Sequence, residues 1–189
     1  MGRFTFPLVA VAAALVAATC CSKDSDAKAD KPRGPAVGEP APAFSAPATV
    51  GGTLSLADFA GRIVVLYFYP KDDTPGCIAE AKGFRDADAE MAALGVQVLG
   101  VSRDGLDSHR KFADRYDLKF PLLADTDGKI HDAYGAWKGG AWGRTALGVD
   151  RSTFVIDGAG VVRQVWRGVD PSGHSDEVLA FVRTLVPSR

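Results

Sequence analysis

The sequence predicts an α/β fold, a central mixed β-sheet flanked by helices, and three observations carry that reading. "RIVVLYFYP" at 62–70 is an unbroken β-branched and aromatic run, the pattern of a central strand buried on both faces in a parallel region of sheet. From residue 44 onward, short apolar runs alternate with stretches of helical spacing. Near the C-terminus two apolar runs flank the turn Gly158-Ala159-Gly160, which predicts a hairpin and so adds antiparallel pairing.

The elements follow in order. After the 62–70 strand, Ile78, Ala81, Phe84, Met91 and Leu94 fall on one helical stripe, which predicts a long amphipathic helix starting near Cys77. "GVQVLGVS" (95–102) is a second strand, and 106–117 a second helix with His109, Phe112, Ala113 and Tyr116 on one face. "FPLLAD" (120–125) is a short strand and "GKIHDAYG" a helical turn or two. "STFVID" (152–157) and "VVRQVW" (161–166) form the hairpin. Ser175 is expected to cap the last helix, with Asp176 and Glu177 in its first turn and Val178, Leu179, Val182 and Leu185 facing inward.

Composition narrows the function classes. The chain has 189 residues, 47% hydrophobic and 24% charged, enough for one domain and a tail. A formal charge of −1 leaves no basic footprint for nucleic acid or for a polybasic membrane patch. Three cysteines, of which Cys20 and Cys21 are adjacent, make no disulfide framework.

Residues 1–21 read as a signal peptide. Arg3 supplies the positive region, and the apolar run Leu8 to Ala18 is too short to span a bilayer comfortably and ends at Thr19-Cys20-Cys21. Such a run ending at a cysteine resembles a bacterial lipoprotein signal, so Cys20 and Cys21 are the lipidation candidates, although ordinary cleavage further on stays open. Residues 22–35 are polar, charged and Pro-rich, a flexible tether before a domain at 36–189. The expected location is the cell envelope or periplasm, with a lipid anchor in the membrane.

Chemistry centres on Cys77. A buried lone cysteine is usually an inert small hydrophobe. Here the sulfur follows a central strand and sits at a helix N-terminus, where unpaired N–H groups and the helix dipole favour an anion. A nucleophilic thiolate is the sharper reading.

The segment "FYPKDDTPGC", followed by Glu80, Ala81 and "FRD", resembles the peroxiredoxins, specifically the bacterioferritin comigratory protein or peroxiredoxin Q subfamily. "VGEPAPAFSAP", "FPLLADTDGKIHDAYGAW" and "RSTFVIDGAGVV" agree in order, so the resemblance covers about residues 36–186. It implies a thioredoxin-like fold and a thiol-dependent peroxidase, with a hydroperoxide substrate, an external thiol or thioredoxin-like reductant, no cofactor and no metal. It implies site roles for Pro70, Thr74, Cys77 and Arg151. Cys77 would attack the peroxide and become a sulfenic acid. Thr74 would present its hydroxyl to the peroxide, a role compatible with that of an N-cap. Arg151 would stabilise thiolate and developing oxyanion, and Pro70, otherwise a plain strand breaker, would shield the sulfur from water. Glu80, one turn into the helix, is expected either to support the arginine or simply to favour the first turn electrostatically. Lys71, Asp72 and Asp73 read as a solvated turn.

Many members of that subfamily carry a resolving cysteine five positions after the first. Lys82 stands there, which predicts a one-cysteine cycle. A tether of this length reaches roughly 20 Å, so resolution by Cys20 or Cys21 stays open. Competing readings are weaker. Threonine at 74 removes a Cys-x-x-Cys pair and with it dithiol exchange or copper delivery. His109, His131 and His174 lack ligand spacing, His109 reading as a half-buried helix residue. "DTDG" (125–128) is a turn rather than a calcium loop. The glycines of "KGGAWGRTALG" form no phosphate cradle, and that loop is expected to border the peroxide pocket. A non-enzymatic alternative is a tethered redox-sensing or binding domain of the same fold without turnover.

Overall fold

A computed structural model describes residues 1–2, 34–138, 145 and 148–186. The expected signal segment with Cys20 and Cys21, nearly all of the tether and most of the glycine-rich loop at 138–148 lie outside the described residues.

Twelve elements follow in order among the described residues: β1 (Ser45–Pro47), β2 (Thr53–Ser55), a 3₁₀ turn (Leu56–Phe59), β3 (Ile63–Phe68), α1 (Pro75–Ala93), β4 (Val96–Ser102), α2 (Leu106–Tyr116), β5 (Leu122–Ala124), α3 (Lys129–Tyr134), β6 (Ser152–Ile156), β7 (Val162–Arg167) and α4 (His174–Leu185). Five strands form one sheet in the order β5-β4-β3-β6-β7. β3 is central, as its composition requires, with Val64 to Phe68 at most 1% exposed. It pairs parallel with β4 but antiparallel with β6, so the continuous apolar run reflects helices on both faces rather than parallel partners on both sides.

Each face of the sheet buries its own core. On one side Val65, Tyr67, Val98, Leu122 and Val155 pack with Phe84, Met91, Phe112, Val178 and Val182 of α1, α2 and α4. On the other, Val64, Leu66, Phe68, Leu99 and Phe154 pack with Ile130 and Tyr134 of α3 and with Phe44 and Phe59. The alternation along β3 is the period-2 signature of a strand that feeds both layers. Tyr67 opposes Gly100 across the β3–β4 ladder. A Cβ at 100 would lie 2.7 Å from the Tyr67 hydroxyl and from a Leu122 methyl, so glycine is required there for the ring to fit.

Several boundaries move. The hairpin β1–β2 and the 3₁₀ turn were not foreseen; strands of three residues are too short to show periodicity. α4 begins earlier than expected: Gly173, with φ +76, is its N-cap, and Ser175 lies inside the first turn. Ser175 faces α1 instead, its Oγ 2.6 Å from where a Cβ at Gly83 would stand, so the serine serves helix packing rather than capping.

Candidate active site

The site is built where the C-terminal end of β3 meets the N-terminus of α1. β3 ends at Phe68, Tyr69 N still donates to Val101 O at 3.1 Å, and half-buried Pro70 stops the ladder. Thr74 is the N-cap of α1, with Pro75 at its first helical position, where a missing N–H has no consequence. Cys77 is the third helical residue. The first α-helical bond runs from Ile78 N to Thr74 O at 2.9 Å, so the amides of Gly76 and Cys77 precede it and belong to the positive end of the helix that carries the sulfur. Cys77 is 1% exposed and free.

Arg151 reaches this point through sheet register. In the antiparallel β3–β6 pair, Ser152 stands opposite Phe68, so the residue before β6 lies beside the segment after β3. The guanidinium spans two partners: Nη2 donates to Cys77 Sγ at 3.4 Å and Nη1 to Glu80 Oε2. A Cβ at Gly76 would stand 3.4 Å from Arg151 Nη2 and 3.5 Å from Pro171, ordinary contact distances, so both side chains pack directly on this first turn. Without the resemblance Arg151 would read as a surface arginine; its side chain is 13% exposed and that of Glu80 is 1% exposed.

The two charges of this pair are held unequally. Burial pulls the Arg151 guanidinium down, but the Glu80 carboxylate and the Cys77 sulfur outweigh it, and the net direction is up. For Glu80, burial dominates and Arg151 offsets only part of it, so the carboxyl is pushed up to about 7. The carboxyl governs the pair because it is the more deeply buried partner, and its Oε1 has no hydrogen-bond partner among the described residues. Since Glu80 holds its proton more tightly folded than unfolded, where it titrates near 4.5, its stabilising contribution is full below about 4.5 and is lost as pH rises through about 7. Thermal stability of the wild type is therefore expected to fall more steeply than that of Glu80→Gln between pH 5 and 8. Parallel curves in differential scanning fluorimetry would refute that assignment.

Thr74 Oγ1 does not cap the helix. It donates to Lys71 O at 3.0 Å, which leaves its lone pairs to accept from an incoming O–H. The neighbouring aspartates require a correction. Asp72 is not in a solvated turn: it is 5% exposed, and its carboxylate accepts from Tyr69 Oη at 2.8 Å and Ser108 Oγ at 2.7 Å and meets His109 Nδ1 at 2.9 Å. His109 is not half-buried but fully enclosed. The one sequence signal for this group was a histidine on the apolar face of α2, where an enclosed polar ring needs a partner. His131 is likewise enclosed, 2.6 Å from Asp125 in the "DTDG" turn, and no three-residue cluster able to hold a metal occurs among the described residues. Lys82 is exposed, its ammonium 5.2 Å from the centre of the Tyr116 ring.

Comparison with known proteins places this geometry in a family. The AhpC/TSA family model matches residues 37–165. The chain is 39% identical over 150 residues to peroxiredoxin Bcp of Bacillus subtilis, covering 79% of this chain and 96% of that protein. It is 41% identical over 147 residues to peroxiredoxin Bcp of Xanthomonas campestris, covering 76% and 92%. Among solved structures, X. campestris bacterioferritin comigratory protein, studied for its alkyl peroxide reduction activity, superposes with a TM-score of 0.72 at 36% identity over 76% of this chain and 92% of that one. Mycobacterium tuberculosis peroxidoxin BcpB does so with a TM-score of 0.73 at 32% identity, over 80% and 98%. The thioredoxin-like sheet, the cysteine at the start of α1 and these likenesses agree: the chain belongs to the AhpC/TSA family, as a peroxiredoxin of the bacterioferritin comigratory protein and peroxiredoxin Q type, a thiol-dependent peroxidase.

Proposed function

We propose that Cys77 is the sulfur that reduces hydrogen peroxide and organic hydroperoxides, with Arg151, Thr74 and Pro70 around it and Glu80 holding the arginine. The observation that carries this reading is the forked contact of Arg151 with Cys77 and Glu80. A guanidinium fixed from behind by a carboxylate can face both the thiolate and the oxygen on which charge develops.

In the proposed first step Cys77 Sγ attacks the terminal peroxide oxygen. An S–O bond forms with the thiolate lone pair, the O–O bond breaks, the peroxide's terminal O–H becomes the sulfenic O–H, and the leaving alkoxide or hydroxide takes a proton from solvent water to depart as alcohol or water. Thr74 Oγ accepts from the peroxide O–H, and the first-turn amides and Arg151 stabilise the departing charge. Pro70 closes the strand side of the site against water. An external thiol then attacks the sulfenic sulfur, releasing water and leaving a mixed disulfide. A second thiol equivalent frees Cys77 and carries away the disulfide.

With lysine at position 82, and Cys77 the sole cysteine among the described residues, the cycle uses one protein cysteine and an outside thiol or thioredoxin-like reductant. The apolar run ending at Cys20-Cys21 supports export and a lipid anchor in the cell envelope. Peroxide consumption sustained by dithiothreitol is expected to be the same in wild type and in a Cys20→Ser/Cys21→Ser double variant. A slowed double variant would move resolution to the tail, and an unmodified full-length chain by intact mass would remove the anchor.

A further inference from the structure

The residues between β3 and α1 carry Pro70 and Thr74 and lead into Cys77, yet what holds them is not in the site. Asp72 and Asp73 are both tied to α2. Asp72 receives Tyr69 Oη and Ser108 Oγ and lies against His109 Nδ1, while its own amide donates to Asp104 Oδ2 at 2.7 Å. Asp73 adopts the left-handed backbone unusual for a side-chain-bearing residue, φ +58, and accepts from Arg115 Nη1 at 2.9 Å. The ring of His109 is fixed at its far side, where Nε2 lies 3.2 Å from Leu123 O of β5. Among these ties, the Asp72 carboxylate joins the loop to a ring braced against the sheet. Of these anchors only the Asp72 group is enclosed, and an enclosed network holds geometry more firmly than an exposed ion pair.

We infer that His109, acting through Asp72, is a positioning residue that holds the Pro70–Thr74 loop and the start of α1 in the peroxide-reactive arrangement. It does not touch the reacting atoms. Its effect is on where Thr74 Oγ and the first-turn amides stand relative to Cys77, and on how often the buried sulfur is uncovered. This inference rests on the peroxidase reading for its consequence in catalysis, but the clamp itself can be read without peroxide.

Two substitutions separate positioning from simple filling of the core. In His109→Asn the amide nitrogen stands near the place of Nδ1 and keeps a donor toward Asp72. In His109→Gln it stands near that of Nε2 and keeps only the donor toward Leu123 O. Peroxide oxidation of Cys77 is expected to slow about tenfold or more in His109→Gln and to stay within about threefold of wild type in His109→Asn, since small misplacements of reacting groups carry costs of this order. Alkylation of Cys77 by iodoacetamide, followed by mass, is expected to quicken in His109→Gln and not in His109→Asn, because a loosened loop exposes the sulfur. Ser108→Ala removes one bond to Asp72 from a half-buried position and is expected to shift both rates in the same directions by a smaller factor. Equal behaviour of the two histidine variants, or wild-type alkylation and oxidation rates in a folded Ser108→Ala, would overturn the inference. A wild type that consumes no peroxide would instead strike at the peroxidase reading, while the alkylation comparison would still report on the clamp.

Discussion

Cys77→Ser is expected to abolish thiol-supported peroxide consumption, lowering the rate on the order of a thousandfold or more, the scale on which loss of a covalent nucleophile shows. The hydroxyl of serine is not ionised at neutral pH, and among the described residues the side chain hydrogen-bonded to position 77 is a donor, not a base. Arg151 donates toward the sulfur, and the other partner of the guanidinium is the Glu80 carboxylate. A base-activated nucleophile would need an acceptor at that point, so serine cannot substitute. The fold should survive, because serine is close to cysteine in volume and the surrounding helix start can satisfy its hydroxyl. A melting temperature near wild type with background peroxide consumption is the expected pair of results. Turnover in Cys77→Ser near the wild-type rate would exclude this cysteine as the attacking group.

The second large effect is expected at Arg151. Arg151→Lys keeps the charge but not the fork, and one ammonium on a flexible stem cannot serve Cys77 and Glu80 in the same fixed geometry. The second-order rate constant with hydrogen peroxide is expected to fall about 100-fold, comparable to losing a preorganised donor to a developing oxyanion. Arg151→Met goes further by leaving Glu80 buried beside no cation, at a stability cost of roughly 3 kcal/mol, as is typical for breaking a buried pair. Adding Glu80→Gln to Arg151→Met removes the stranded carboxyl and should restore most of that stability while leaving the rate low. Recovery of rate together with stability in the double variant would show that Arg151 acts on the fold alone.

How far the sequence reaches is clear from particular residues. The 62–70 run identified β3 and its central place because an all-apolar strand can only be covered on both faces. The stripe from Ile78 to Leu94 identified α1 because burial at helical spacing is periodic, though Ile78 and Leu94 proved only partly buried. Cys77 was legible because its setting, strand end and helix start, is a local property. Arg151 was legible only through the family resemblance, since its approach to Cys77 depends on the register of Ser152 opposite Phe68, which no local pattern encodes. Asp72 was misread for the same reason: its partners Ser108 and His109 are 36 and 37 residues away, and an aspartate in a polar run carries no mark of its burial. The cap at Gly173 was missed because Ser175 offered a better capping side chain, while a left-handed glycine two residues earlier ended the preceding turn.

The central claim is that peroxide oxidises the Cys77 sulfur reversibly. Its most direct test is mass spectrometry of the Cys77 peptide after one equivalent of hydrogen peroxide, with a sulfenic-acid trap, before and after addition of an external thiol. The account predicts one oxygen on Cys77, captured by the trap and removed by the thiol with return of the free sulfhydryl. An unmodified Cys77 alongside consumed peroxide would contradict it.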